Sequence, residues 1–314
     1  MPVDPEVQEV LDEAARLAPP DFDTLSPDEA RREMLALAPP VDPERAARLV
    51  EDRRLPGPRG EIPVRLYHPP GDDVGTPPVT VYFHGGGWVV GCIETHHALC
   101  HALAAESACL VASVDYRLAP EHPFPAAVDD ALVATRWLAE NAATVGADGG
   151  RLAVAGDSAG GNLAAVVSLL ARDLGGPPIR FQALVYPVTD CDLSTASYLE
   201  NAEGYLLTRA RMRWFWDHYI PIDRERESER ADPRASPLRS VNVAGLPPAL
   251  VLTAEFDPLR DEGEAYARRL QESGVPTVLS RYDGVVHGFF RMTARLRRAR
   301  EALDQVAAAL RQAL

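Results

Sequence analysis

Apolar residues change their spacing near residue 50. Before it, residues 7–17 and 26–37 repeat at helical spacing, and each run ends at a proline pair, Pro19-Pro20 and Pro39-Pro40. Asp42-Pro43-Glu44 predicts a third short helix. Asp42 would cap it, and Pro43 would take the first helical position, where a missing N–H costs nothing. Beyond this point the pattern becomes strand and turn. Residues 64–67 and 79–83 are short β-rich runs set apart by Pro, Gly and Asp. Runs at 110–114, 152–155, 183–186, 249–253 and 277–282 follow. Most alternate with helical stretches at 96–106, 126–141, 162–172 and 261–273, and residues 291–314 read as a closing amphipathic helix.

Strands that are apolar throughout have no solvent face. Alternating with helices, they predict an α/β fold with a mostly parallel central sheet flanked by helices on both sides. The expected division is a helical N-terminal part, 1–50, and an α/β domain, 51–314. Residues 198–219 interrupt the alternation and carry Tyr205, Trp214, Phe215, Trp216 and Tyr219. They form either a helix packing its own core or, with the N-terminal helices, a lid over a site, and the two are compatible. The charged run at 224–230 reads as a solvated loop.

In such sheets ligands bind beyond the carboxyl ends of the strands. Three chemistry-bearing residues lie there: Ser158, Asp257 and His287. Ser158 sits in Gly156-Asp157-Ser158-Ala159-Gly160, between an apolar run and a helical one, as in a nucleophile elbow. The N–H of Ala159 would then point where an oxyanion forms. A serine hydroxyl needs a base. Of eight histidines, only His287 combines a post-strand loop, a flanking glycine and a place after a candidate acid. His96, His97 and His101 sit on a predicted helix, His122 among prolines and His218 beside aromatics. Asp257 is the favoured acid, with Glu255 and Asp261 as rivals. Asp157 adjoins the serine, but its side chain should point away and serve structure.

His84-Gly85-Gly86-Gly87-Trp88 follows the strand at 79–83. Glycines let backbone N–H groups reach a substrate without a Cβ in the way. The loop lacks the Gly-Lys-Ser/Thr of a phosphate cradle. His84 is expected to brace it.

Composition narrows the function classes. An apolar share of 46% suits a full core, and a net charge of −14 argues against nucleic acid, whose phosphates need clustered cations. The N-terminus is acidic without an apolar h-region, so no secretory signal is expected. No apolar window is long enough for a membrane span, and a cytoplasmic location is the default expectation. Cys92, Cys100, Cys109 and Cys191 show no metal or disulfide spacing and are expected as buried free thiols.

Together, His84–Trp88, Gly156–Gly161, Asp257-Pro258-Leu259, His287-Gly288-Phe289 and the segment Asp115–Ala126 resemble the bacterial hormone-sensitive-lipase family (family IV) of carboxylesterases, within the α/β-hydrolase fold. The resemblance runs from about residue 82 to 289, and the helical N-terminus is similar to that family's cap, with 198–230 as a second cap segment. It implies Ser158 as nucleophile, His287 as base and Asp257 as acid. It implies an oxyanion hole drawn from Gly86, Gly87 and Ala159, with Gly85 a further candidate. It implies a small-molecule ester of short to medium acyl chain as substrate and no metal or organic cofactor. It also places Glu121 in a buried ion pair or hydrogen-bond network, and implies a homodimer through the edge strand at 277–282. An amidase, lactonase or peptidase could use the same triad. A non-catalytic small-molecule receptor would be expected to have lost a triad member.

Overall fold

The apolar runs after residue 50 assemble into one eight-stranded sheet. In the computed structural model, residues 2–18, 20–71, 75–221 and 227–314 are described; Pro19 and residues 224–226 of the charged run lie outside them. In chain order the elements are α1 (Pro5–Leu17), α2 (Pro27–Ala36), β1 (Leu49–Gly57), β2 (Gly60–His68), β3 (Pro78–Phe83), α3 (His97–Ser107), β4 (Leu110–Val114), α4 (Ala126–Asn141), β5 (Asp148–Asp157), α5 (Ala159–Asp173), β6 (Phe181–Val185), α6 (Ala196–Glu200), α7 (Arg209–Tyr219), β7 (Ala249–Phe256), α8 (Arg260–Glu272), β8 (Thr277–Val286) and α9 (Arg297–Ala313). The strand order is β1-β2-β4-β3-β5-β6-β7-β8. β2 runs antiparallel to both β1 and β4, and every other pair is parallel.

The central strands are mostly apolar along their middles because each face has its own helix layer. Val79, Val81 and Phe83 of β3, with Leu152 and Val154 of β5, face a core shared with α4, α5 and α8. Tyr82, Ala153 and Ala155 point the other way, into a core shared with α3 and α9. Successive side chains of a strand alternate faces, so a strand buried on both sides shows no polar alternation. α1 joins the second core through Val7 and Val10, and the Asp4 N–H donates to the Gly284 carbonyl of β8 at 2.9 Å. The 3₁₀ turn at Phe22–Thr24 instead meets α7, with Phe22 ring centroids 5.9 Å from Trp214 and 6.1 Å from Phe215.

Three expectations change. The third N-terminal helix is only a 3₁₀ turn, Pro43–Arg45, though Asp42 does cap it by accepting from Glu44 N–H at 3.0 Å. β1 is a strand that the apolar pattern does not predict. It pairs on one side only and carries Glu51, Asp52, Arg53 and Arg54 in mostly exposed or half-buried positions. Charge on an edge strand discourages pairing with other chains. The closing helix begins at Arg297, after a separate 3₁₀ turn at Phe289–Arg291.

Candidate active site

β5 ends at Asp157 and α5 begins at Ala159, leaving Ser158 alone in the turn with φ 57° and ψ −119°. That backbone is strained for a side chain with a Cβ, and such strain persists only where surroundings enforce it. Here Ser158 N–H donates to the Val185 carbonyl of β6 at 2.9 Å, and the Ser158 carbonyl accepts from Val188 and Asn162. The motif glycines are required by close approach. A Cβ on Gly160 would collide with the Phe83 carbonyl, and one on Gly156 with the Gly160 backbone.

Parallel pairing brings the other two residues together. Phe256 of β7 pairs with Val286 of β8, so the next residue on each strand, Asp257 and His287, leaves the sheet side by side. His287 Nδ1 lies 2.7 Å from Asp257 Oδ2, and His287 Nε2 lies 3.0 Å from Ser158 Oγ. A carboxylate only accepts, so the proton belongs on Nδ1 and Nε2 is left to accept from the serine hydroxyl. Asp257 is fully buried, and its other oxygen accepts from Leu259 N–H at 2.9 Å. The rival acids are engaged elsewhere. Glu255 accepts from Gly284 N–H, and Asp261 accepts from Ser197 N–H while pairing with Arg260. The Tyr186 ring lies 4.5 Å from the His287 ring, centroid to centroid, and Tyr186 has φ 34°.

The glycine loop leaves β3 beside the serine. Gly86, Gly87 and Trp88 all have positive φ, at 128°, 59° and 61°. Phe215 of α7 packs where a Gly87 Cβ would stand. Trp88 is stacked on Tyr219 at 4.1 Å and 6°. Gly85 departs from expectation as an oxyanion donor. Its N–H already donates to Asp157 Oδ1 at 3.0 Å, and a Cβ there would strike Asp157 Oδ2. Ala159 opens the 15-residue helix α5, whose N-terminal dipole favours negative charge.

Beneath the loop, Asp157 is a structural acceptor, as expected. It takes hydrogen bonds from the Tyr82 hydroxyl at 2.8 Å and Gly85 N–H at 3.0 Å, and His96 Nε2 lies 3.1 Å away. Burial pushes its carboxyl upward, but His96 and the hydrogen bonds outweigh this and hold it well below the usual carboxylate range. His84 braces the loop by donating from Nδ1 to the Gly85 carbonyl at 2.9 Å and stacking on Tyr116. Burial, then His96, pushes its pKa down to about 3, so it is neutral at ordinary pH.

Other expectations resolve plainly. His96 belongs to the 3₁₀ turn before α3 and is buried. His97 and His101 face one another at 3.3 Å, far in the chain from the triad; His122 is exposed, and His218 donates to the Trp214 carbonyl. Glu121 is not buried. It is an exposed carboxylate paired with Arg31 of α2. Cys100 and Cys109 are buried free thiols, whereas Cys92 and Cys191 are half-buried. Among the described residues, no group of three or more His, Cys, Asp or Glu could hold a metal ion. In the sequence nothing gives Arg31 or Tyr186 a place at the site, and His96 reads only as a packing or solvent-facing residue.

Residues 80–291 match the family of proteins with the α/β-hydrolase fold. The chain is 46% identical over 256 residues to carboxylesterase NlhH of Mycobacterium tuberculosis, covering 81% of this chain and 79% of that protein. It is 44% identical over 257 residues to an ethyl acetate hydrolase of Pseudomonas putida, again covering 81% and 79%. Among solved structures, it is similar to the ester hydrolase EH1AB1 from the metagenome of Lake Arreo, in complex with a bipyridine phosphonate derivative. That likeness has a TM-score of 0.91 and 45% identity and covers 99% of this chain and 98% of that one.

Proposed function

The chain belongs to the α/β-hydrolase family, in its hormone-sensitive-lipase branch, and is a carboxylic ester hydrolase; we propose that Ser158, His287 and Asp257 do the chemistry, on esters of short to medium acyl chain. The observation that carries this reading is the continuous hydrogen-bonded line from Asp257 Oδ2 through His287 to Ser158 Oγ, at 2.7 and 3.0 Å.

The steps follow from that line. Ser158 Oγ attacks the ester carbonyl carbon while His287 Nε2 takes the hydroxyl proton, so the nucleophile is created only as it reacts. Asp257 holds the Nδ1 proton and stabilises the imidazolium that forms. The carbonyl oxygen becomes an oxyanion and is met by N–H groups of Gly86, Gly87 and Ala159. Each such donor contributes roughly 3–4 kcal/mol because it is fixed before the charge appears. The tetrahedral adduct collapses, His287 protonates the departing alkoxide, and an acyl-serine remains. Water then loses a proton to His287, attacks the acyl carbon, and releases the acid as the proton returns to Ser158.

Phe215 against Gly87, with Phe22 beside it, supports a cap over the acyl pocket drawn from the described residues of 1–50 and 198–230. We extend the reading to a homodimer through the edge strand β8, whose Val278 is 57% exposed. We also extend it to a cytoplasmic location; no helix of the described residues is long and apolar enough to cross a membrane. The chain-length claim is tested by turnover of p-nitrophenyl esters from acetate to palmitate. A maximum at short or medium chains is expected; one at palmitate would contradict it.

A further inference from the structure

We propose that Arg31, on the N-terminal helix α2, is a positioning residue for the oxyanion hole: it fixes the loop that presents Gly86 and Gly87. The proposal rests on the reading of those two N–H groups as oxyanion donors.

A guanidinium has five N–H donors in a planar fork and no acceptor. All five of Arg31 are used. Nε donates to the Val89 carbonyl at 2.9 Å. Nη1 donates to Asp28 Oδ1 at 3.1 Å and Glu121 Oε1 at 2.8 Å. Nη2 donates to the Ala119 carbonyl at 2.9 Å and Glu121 Oε2 at 2.6 Å. The Glu121 pair is bidentate, so it sets the plane of the fork as well as its place. The pair lowers the Glu121 carboxyl to about 2, keeping it charged across the working pH range.

Of the two carbonyls that Arg31 holds, Val89 lies at the end of the glycine loop and Ala119 in the segment bonded to it. Val89 follows the three consecutive residues of positive φ, Gly86, Gly87 and Trp88. The Val89 and Val90 N–H groups both turn back to the Gly86 carbonyl, at 3.1 and 2.9 Å. The Trp88 carbonyl accepts from Ala119 N–H at 2.9 Å. Gly86, Trp88 and Val89 are thus tied in one turn whose outer end is Arg31. Val89 and Ala119 are 0% and 1% exposed, so a carbonyl deprived of Arg31 has little water to turn to.

A strained stretch of backbone keeps its shape only while its surroundings over-determine it. On one side of this loop Phe215, Trp216 and Tyr219 of α7 press on Gly87 and Trp88. The polar clamp at Val89 is Arg31. An oxyanion donor is useful only where it meets the oxygen at hydrogen-bond distance, so a small drift of this turn subtracts from the transition state more than from substrate binding.

The test is Arg31→Met, with Arg31→Lys and Glu121→Gln beside it. Three quantities are read: kcat and KM on p-nitrophenyl butyrate, and Ki for an alkyl trifluoromethyl ketone. That ketone adds to the serine as a tetrahedral oxyanion, so its Ki follows the oxyanion hole. For Arg31→Met, kcat should fall roughly 10- to 100-fold, since a misplacement of about 1 Å costs up to about 10²-fold. Ki should rise in step and KM should stay within about threefold. Arg31→Lys should recover part of both losses, because an ammonium keeps charge and three donors without the planar fork. A folded Arg31→Met with kcat and Ki within about twofold of wild type overturns the proposal, as does a change in KM alone. If Arg31→Met does not fold, Glu121→Gln decides. A loss of about twofold or more in kcat with Ki moving in step supports the clamp, and kcat and Ki both within about twofold of wild type overturn it. Wild-type turnover and its loss in Ser158→Ala are measured alongside. A wrong assignment of the serine appears in those controls, whereas a wrong role for Arg31 appears only in the Arg31 and Glu121 variants.

Discussion

Replacing Asp157 by Asn should destabilise the protein well beyond an ordinary point change, with a particular pH signature. The Asp157 carboxylate is 3% exposed and meets Tyr82, Gly85 and His96 at 2.8, 3.0 and 3.1 Å. At this burial there is little solvent to screen the loss. Hydrogen bonds to a charged acceptor contribute about 1.5–3 kcal/mol each, and Asp157→Asn weakens more than one of them at once, so a loss of about 3–5 kcal/mol is expected. Unfolding entropy is about 2.1 cal/mol/K per residue, or about 0.7 kcal/mol/K for this chain, so the melting temperature should drop by about 5–8 °C. The sign with pH follows from the carboxyl being held below its usual range. Such a group contributes stability that is fully present above its unfolded pKa, about 3.9, and is lost as pH falls through the lower folded value. Melting of wild type and Asp157→Asn by calorimetry should therefore show a constant gap from about pH 5 to 9 that closes only below about pH 4. A gap under about 1.5 °C at pH 7, or one already closed at pH 6, would refute the claim that an ionised Asp157 holds this region together.

Asp257→Asn should leave the fold intact and lower kcat by about 10⁴-fold, the scale seen when a triad histidine is held in the wrong tautomer; steady-state kinetics on p-nitrophenyl butyrate will read this, and a loss below about tenfold would remove Asp257 from the triad. Gly87→Ala has both a φ of 59° and the Phe215 ring against it, so activity should fall with a stability loss of about 1–3 kcal/mol; paired activity and denaturant curves that match wild type would contradict the described loop. Glu255→Gln should leave turnover within about twofold of wild type, because its carboxylate serves Gly284 and not His287; a large fall in kcat would reopen Glu255 as the triad acid.

Burial on both faces is what makes a strand legible, and the central stretches of β3, β5, β6 and β7 are mostly apolar for that reason. β1 was not legible because most of its side chains are exposed or half-buried and its partner lies on one side only. Ser158 was legible because a tight strand-to-helix turn needs Gly156 and Gly160 at fixed spacing. Asp257 was favoured from its place after a strand and before Pro258, with Glu255 and Asp261 left as rivals. What separates it from Glu255 and Asp261 is the pairing of Phe256 with Val286, a tertiary fact. Gly85 carries the same local signal as Gly86 and Gly87, and only the buried Asp157 beneath it tells them apart. Arg31 and His96 could not be found from spacing. They lie 90 and 61 positions from Glu121 and Asp157, and no periodicity links a side chain to a partner that distant.

The most direct test of the account is covalent. Incubation of the wild-type chain with a p-nitrophenyl alkylphosphonate should release one equivalent of p-nitrophenol, abolish ester turnover, and leave a single phosphonyl group on the peptide bearing Ser158, read by mass spectrometry. Ser158→Ala should take up none. A label on any other residue, or full ester turnover in Ser158→Ala, would contradict the assignment of Ser158 as nucleophile.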